Sequence, residues 1–246
     1  MGGGSTAAPT GGYVAALLVR ALEAEIADPD RMLRSLTIHY LRPPDEGRAD
    51  VSVTVLREGR TLSTLTAELR QHGRLLAHAI AAMATRRDGT PDFDGLPAPA
   101  WPDPDSIPER DRDAPGAPSQ IPMSARYDQR YCIGTPPFVA GPEALTGGWI
   151  RQSDEGLVDV AALAAYADAW SPAIFSLGTF VPVPTVELTV QVRRDPSEFD
   201  TSWCLVRFRS QVAAGGFIEE DGEIWSRDGV LLAQSRQLAV MVPLPG

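Results

Sequence analysis

Hydrophobic and polar residues alternate over long stretches of the chain, and these stretches fall into two sets separated by a proline-rich segment. In the first set, 33–41, 49–57, 61–71 and 75–85 read as β-strands rich in Val, Thr and Leu, turning at Glu58-Gly59 and His72-Gly73. In the second, 185–193, 203–212, 217–227 and 231–242 read the same way, turning at Gly215-Gly216 and Asp228-Gly229. Each set follows an apolar segment without strand-like alternation. Residues 13–26 carry Val, Ala and Leu on nearly every side as far as Arg20, and 158–170 do so with alanines. Both are expected to be buried helices. Two further strands, 124–133 and 145–152, precede the second helix. They have no counterpart before the first, where residues 1–12 are a Gly/Ser/Thr/Ala linker-like piece.

The two sets are copies. Ser35-Leu-Thr-Ile-His-Tyr-Leu-Arg-Pro-Pro44 resembles Glu187-Leu-Thr-Val-Gln-Val-Arg-Arg-Asp-Pro196 at an offset of 152, and Gly73-Arg-Leu-Leu-Ala77 resembles Gly229-Val-Leu-Leu-Ala233 at 156. Gly59 and Gly73 are 14 apart, as are Gly215 and Gly229. The four-residue change of offset predicts a longer loop around 197–202. Asp221-Gly222 looks like another turn, but the equal glycine spacing predicts an in-strand kink or bulge instead. Residues 85–122 hold nine of the 22 prolines and eight acidic residues, so they are expected to form an extended surface connector. The expected division is an N-terminal unit over 1–84, a connector over 85–122 and a C-terminal unit over 123–246. Helix-then-meander, twice, predicts an α+β fold in which a curved antiparallel sheet wraps round each helix.

Charge and composition narrow the function. Asp+Glu 32 against Lys+Arg 22 gives a net charge of −10, which argues against a nucleic-acid partner. The chain has no lysine, which excludes a Walker phosphate lysine, a Schiff base and a Ser-Lys dyad. Two cysteines, Cys132 and Cys204, are too few for a disulfide scaffold. His39, His72 and His78 never fall at His-x-x-x-His spacing, so no metal or other cofactor is expected. The longest early apolar run, 13–19, is too short for export or membrane spanning, so a cytoplasmic protein with no membrane partner is expected.

Particular stretches carry a family likeness. Gly11-Gly12-Tyr13-Val14-Ala15-Ala16-Leu17, Leu36-Thr37-Ile38-His39-Tyr40-Leu41-Arg42-Pro43 and Leu56-Arg57-Glu58-Gly59-Arg60-Thr61-Leu62-Ser63 carry it in the first copy. Tyr166-Ala167-Asp168-Ala169, Thr185-Val186-Glu187-Leu188-Thr189-Val190 and Asp228-Gly229-Val230-Leu231-Leu232-Ala233-Gln234-Ser235-Arg236-Gln237 carry it in the second. With these residues the chain resembles the double hotdog acyl-CoA thioesterases of the thioesterase II type, from about Gly11 to Val242. The resemblance implies an acyl-CoA substrate, a role in lipid metabolism, and a homodimer or higher homo-oligomer. It also implies a catalytic set of Asp168 on the second helix, Thr185 at the start of the next strand and Gln237 on the last strand. One departure is the missing strand before the Gly-Gly-Tyr helix, which implies either a misplaced start site or a first sheet with an exposed edge.

Thioester hydrolysis needs an activated water, a proton acceptor and donors for the developing oxyanion. Asp168 suits the acceptor, Thr185 the orientation of the water, and Gln237 either the water or the carbonyl. Each also has a plain structural reading: a cap or exposed acid for Asp168, an ordinary strand residue for Thr185, a ladder-facing amide for Gln237. The repeat acts as an internal control. The counterparts are Ala16, Leu33 and Ala81, so only one copy is chemically equipped. No Gly-x-Ser-x-Gly elbow is present, and no histidine has an aspartate five residues before it, as the hotdog hydratases require. Arg57, Arg60, Arg70 and Arg74 are candidates for coenzyme A phosphates or plain surface charges. Two alternatives stand beside an acyl-CoA thioesterase: a non-catalytic acyl-thioester binding protein, and a thioesterase for acyl groups on a carrier protein.

Overall fold

The computed structural model describes residues 10–96, 98, 100–109, 126–154 and 156–244. Helix α1 (Gly11–Ile26) leads into β1 (Met32–Tyr40), β2 (Asp50–Glu58), β3 (Leu62–Gln71) and β4 (Arg74–Ala84). After the connector come β5 (Tyr127–Gly134), β6 (Leu145–Gln152) and α2 (Val160–Tyr166). Then follow β7 (Thr185–Val192), β8 (Cys204–Arg209), β9 (Ala213–Ala214), β10 (Phe217–Trp225) and β11 (Leu231–Val240). The strands form one 11-stranded sheet in the order β2-β3-β4-β1-β7-β11-β10-β8-β6-β5, with β9 paired to β10. All pairings are antiparallel, and the two copies join where β1 meets β7. One face of the sheet and both helices make the main core. This is the expected α+β double hotdog.

The duplication is visible in the ladders. Leu33 pairs with Met83 and Leu36 with Ala81 across β1 and β4. Their counterparts Thr185 and Ala239, Leu188 and Gln237, pair across β7 and β11, and a bulge falls at the same place in each ladder. Along β3 and β10 the offset is 155, because Leu65 faces Ala81 while Glu220 faces Gln237. Three of the four extra residues therefore sit in the β7–β8 loop, which holds a short 3-10 turn at Pro196–Glu198, and the fourth in the β10–β11 connection. His72 and Gly73 (φ 52° and 75°) and Gly215 and Gly216 (φ 60° and 83°) take the left-handed pairs that tight hairpins need.

Four expectations change. Helix α1 is not buried all round: Val14, Ala15, Leu18 and Leu22 face the core, while Tyr13, Leu17 and Arg20 face out. Helix α2 has seven residues and every one is buried, but it stops at Tyr166. Past Tyr166 the chain tightens, with Asp168 N bonding Ala165 O and Ala169 N bonding Tyr166 O, three residues back rather than four. Gly222 is neither kink nor bulge; it sits in register between Phe208 and Ser235. A Cβ there would lie 2.6 Å from the Phe208 ring, so the glycine makes room for a side chain crossing the strand.

The connector is more than a surface segment. Trp101 packs on Trp225 with ring centroids 6.4 Å apart, and Pro104 and Ile107 are buried. Trp149 Nε1 donates to Pro102 O at 2.9 Å and Arg130 to Ile107 O at 2.7 Å. Residues 100–109 thus strap the outer face of the second half, where Trp149, Leu205 and Trp225 would otherwise meet water. The rest of the connector, 110–122, lies outside the described residues, as do the first residues of the predicted 124–133 strand. In the first half β2 ends the sheet with no strand beyond it among the described residues, which is the expected open edge.

Candidate active site

Asp168 stands two residues past the end of α2, in a turn rather than inside a helix. Its own N–H bonds Ala165 O at 3.1 Å, and Gln129 Nε2 takes the next carbonyl, Ala169 O, at 2.9 Å. The turn therefore exposes the Asp168 side chain to the N-terminus of α1, where Gly12 N donates to Oδ2 at 2.7 Å. That helix end favours negative charge. The approach requires glycines: a Cβ on Gly12 would lie 2.5 Å from Ala165 O, and one on Gly11 would lie 2.9 Å from Asp168 Oδ2. Tyr40 closes the other side, its hydroxyl donating to Gly11 O at 2.9 Å.

Thr185 is the first residue of β7 and Gln237 lies on the adjacent β11. Gln237 Nε2 donates to Thr185 Oγ1 at 2.8 Å, and Thr185 Oγ1 donates to Asp168 Oδ1 at 3.4 Å. The structure thus brings all three sequence-predicted residues into one line ending at Gly12. Burial pushes the Asp168 carboxyl up to about 6, against the opposing pull of the Gly12 N–H and the Thr185 hydroxyl. Such a carboxylate is ionised at pH 7 yet basic enough to take a proton. Burial, with the Asp168 charge as a smaller contribution, keeps the Tyr40 hydroxyl protonated.

Asp168 and Thr185 form part of the wall of a cavity of about 530 Å³ between the two halves. Val14, Leu69, Leu76, Val183, Val186 and Val240 make its apolar lining, and Arg42 is the one cation among the lining residues. The shape and chemistry suit an apolar chain carrying a reactive carbonyl.

The other candidates do not converge on this site. Arg57, opposite Thr64, and Arg60 lie toward one end of the β2–β3 hairpin; Arg70 and Arg74 lie at the other, roughly 20–30 Å away, near the cavity-lining Leu69 and Leu76. His39 and His78 are paired across β1 and β4, with His78 Nδ1 3.5 Å from Glu68 Oε1, and His72 is in a turn. Among the described residues no cluster of His, Cys, Asp or Glu could hold a metal ion. Two participants escaped sequence reasoning. Gly12 contributes a backbone N–H, which no side-chain pattern announces. Glu220 places a half-buried carboxyl group directly across the ladder from Gln237. The repeat in the sequence did not single out Glu220, because only the ladder sets it against the fully buried Leu65.

Comparison with known proteins bears on the family and the fold. The model of the acyl-CoA thioesterase C-terminal domain matches residues 97–241, and that of the N-terminal domain matches residues 3–87. No functionally curated protein matches the chain. Among solved structures, a hot dog fold protein of unknown function from Alicyclobacillus acidocaldarius is 28% identical with a TM-score of 0.82, covering 97% of this chain and 89% of that one. A thioesterase II candidate from Thermobifida fusca YX is 26% identical with a TM-score of 0.78, covering 96% and 89%. An acyl-CoA thioesterase II from Mycobacterium marinum shares the fold at 21% identity and a TM-score of 0.72, covering 96% and 90%.

Proposed function

Since the chain belongs to the acyl-CoA thioesterase family, we propose that it hydrolyses acyl-CoA to a free carboxylic acid and coenzyme A, using a water held by Asp168, Thr185 and Gln237. The observation that carries this reading is the continuous line from Gln237 through Thr185 and Asp168 to Gly12, bordering an apolar cavity. Asp168 takes a proton from the water as its oxygen attacks the thioester carbonyl carbon. Thr185, which accepts from Gln237 and donates to Asp168, fixes the direction of attack. Gln237 spends one N–H on Thr185 and has a second for the water or the developing oxyanion. The tetrahedral intermediate then expels the coenzyme A thiolate, which takes up the proton. No covalent enzyme intermediate enters this route.

The test is release of free thiol from a series of acyl-CoAs of different chain length. Turnover with a chain-length optimum supports the reading. Tight binding without thiol release points instead to a non-catalytic acyl-thioester binder, and release from acyl-carrier protein alone moves the substrate class. The same reading divides the chain into units over 1–84 and 123–246, joined by the connector over 85–122, with the site carried by the second unit. It assigns a cytoplasmic setting, supported by the unpaired Cys132 and Cys204. No helix among the described residues is long and apolar enough to cross a membrane. We also propose a homodimer or higher homo-oligomer, supported by the β2 edge, which has no strand beyond it among the described residues and invites pairing. Light scattering that finds only a 26.4 kDa species at micromolar concentration sinks that assembly.

A further inference from the structure

Glu220 lies on β10 between Ile218 and Gly222, the buried positions that mark the core-facing side of the strand. Its Oε2 accepts from Ala173 N at 2.6 Å. Ala173 opens the 3-10 turn Ala173–Ser176, five residues past Asp168. Across the β10–β11 ladder the partner of Glu220 is Gln237, and such paired side chains leave the sheet about 4.5–5.5 Å apart. One carboxyl group therefore touches the backbone that follows Asp168 and stands beside the amide that holds Thr185. In the other half the same ladder position is Leu65, buried opposite Ala81. The acid is present only in the half that carries Asp168.

We propose that Glu220 is a positioning residue for this site, anchoring the 168–173 turn through Ala173 N and bracing Gln237 from the neighbouring strand. The proposal rests on the reading of Asp168 as the base. Burial pushes the Glu220 carboxyl up to about 8; the Ala173 N–H opposes this, and the negative charges of Asp168, Glu219 and Asp221 add to it. These three acids are the charged groups that act on it. From β11 it faces the uncharged Gln237, and the turn presents Ala173, Ile174, Phe175 and Ser176. Arg236 is engaged with Asp221, whose side chain alternates to the opposite face of β10. At pH 7 Glu220 is thus neutral beside an ionised Asp168. As pH rises through about 8 it ionises and sets an anion beside Gln237, the residue that serves the water or the developing oxyanion, which raises the barrier.

The experiment is the pH dependence of kcat and KM for acyl-CoA hydrolysis by the full chain and two variants. Wild type is expected to gain activity as pH rises through about 6 and to lose it through about 8. Glu220→Gln keeps an acceptor for Ala173 N and cannot ionise, so it should retain kcat at pH 7 within about threefold and lose the alkaline fall. Glu220→Leu, which installs the residue of the other half, should lower kcat by roughly ten- to a hundredfold with little change in KM. An unchanged alkaline fall in Glu220→Gln, or wild-type kcat in Glu220→Leu, overturns the proposal. Hydrogen exchange at the Ala173 amide reads the anchor without turnover. It should be slow in wild type and Glu220→Gln and faster in Glu220→Leu; equal protection in all three also overturns the proposal. A wild type that hydrolyses no thioester defeats the proposed function, while the exchange result still decides whether Glu220 holds the turn.

Discussion

The two ends of the β1–β7 seam are related by the internal repeat and have become chemical opposites. At one end lies the Asp168 cavity. At the other is a pocket of about 900 Å³ whose wall carries both signs of charge, with Arg34, Arg86 and Arg194 beside Asp92, Asp195 and Glu198. Equivalent positions pair off: Val186 with Arg34, Val240 with Ala84, Arg42 with Arg194. The first end has a polar centre, Asp168, Thr185, Gln237 and Glu220, in a wall of valines and leucines. The second has an apolar centre, Leu33, Leu65 and Ala81, within a rim of arginines and acids, where Arg86 pairs with Glu198 and Arg194 with Asp92. The lesson is electrostatic. Asp168 is a useful base because burial raises it and its hydrogen-bond partners, Gly12 N–H and Thr185, are neutral. The other end has charged groups of both signs in its wall, so a carboxylate there would not stand among neutral partners as Asp168 does. The apolar walls are thus as much a part of the site as its polar residues.

The largest effect tests that contrast at Asp168. Asp168→Asn should lower kcat by about a thousandfold or more, with acyl-CoA affinity nearly intact, because Asn matches the size but cannot take the proton. The same variant should be more stable than wild type. The Asp168 carboxyl sits at about 6 in the folded chain against an ordinary 3.8, so ionising it costs the folded state. That cost is absent below about pH 4, where the group is protonated in both states, and is complete once pH has risen past about 6. Urea denaturation should therefore show Asp168→Asn gaining about 1–3 kcal/mol at pH 8 and nothing near pH 4. Near-normal hydrolysis by this variant removes the site assignment, and a stability loss at pH 8 removes the account of its basicity.

Next in size is Gln237→Ala, expected to cost roughly ten- to a thousandfold in kcat. Combined with Asp168→Asn it should cost far less than the product of the two, because residues serving one water fail together. Steady-state kinetics on the two single variants and the double variant measure this, and multiplicative losses separate Gln237 from the network.

The strands were legible in the sequence because each pairs along its whole length with a neighbour that shares its alternation, so local pattern and tertiary burial agree. Three features were not legible, for different reasons. The α2 segment is apolar on every side, and such a segment gives no periodicity from which to read its end; past Tyr166 the chain tightens into a turn whose Ala169 carbonyl is taken by Gln129, a residue 40 positions away. The connector's tryptophan and prolines read as surface until the outer faces of Trp149 and Trp225 supply something to pack on. Glu220 sits in the acidic run Glu219-Glu220-Asp221, which looks like a solvated edge. A constant offset of 156 sets it against Thr64 rather than Leu65; only the ladder, where the offset is 155, shows an acid replacing a buried leucine. The Asp168, Thr185 and Gln237 positions followed from the family resemblance, and their contact with one another from the fold.

The smallest expected effect lies at the mirror position of Gln237. Ala81 is buried at the centre of the first half's ladder, opposite Leu36 on β1 and Leu65 on β3. Ala81→Ser adds one hydroxyl among these apolar neighbours, and the backbone carbonyls nearby are already engaged in the ladder. The substitution should cost about 1–2 kcal/mol in stability, seen in the urea midpoint. Thioester turnover should stay within about twofold of wild type, because the ladder neighbours of Ala81, Leu36 and Leu65, can neither take a proton nor orient a water. The mirror residue thus separates two accounts of the molecule. If the halves are chemically opposite, polarity added to the first half costs stability alone. A kcat for Ala81→Ser reduced tenfold would mean that the first half's centre takes part in the reaction, and the contrast between the two ends of the seam would not hold.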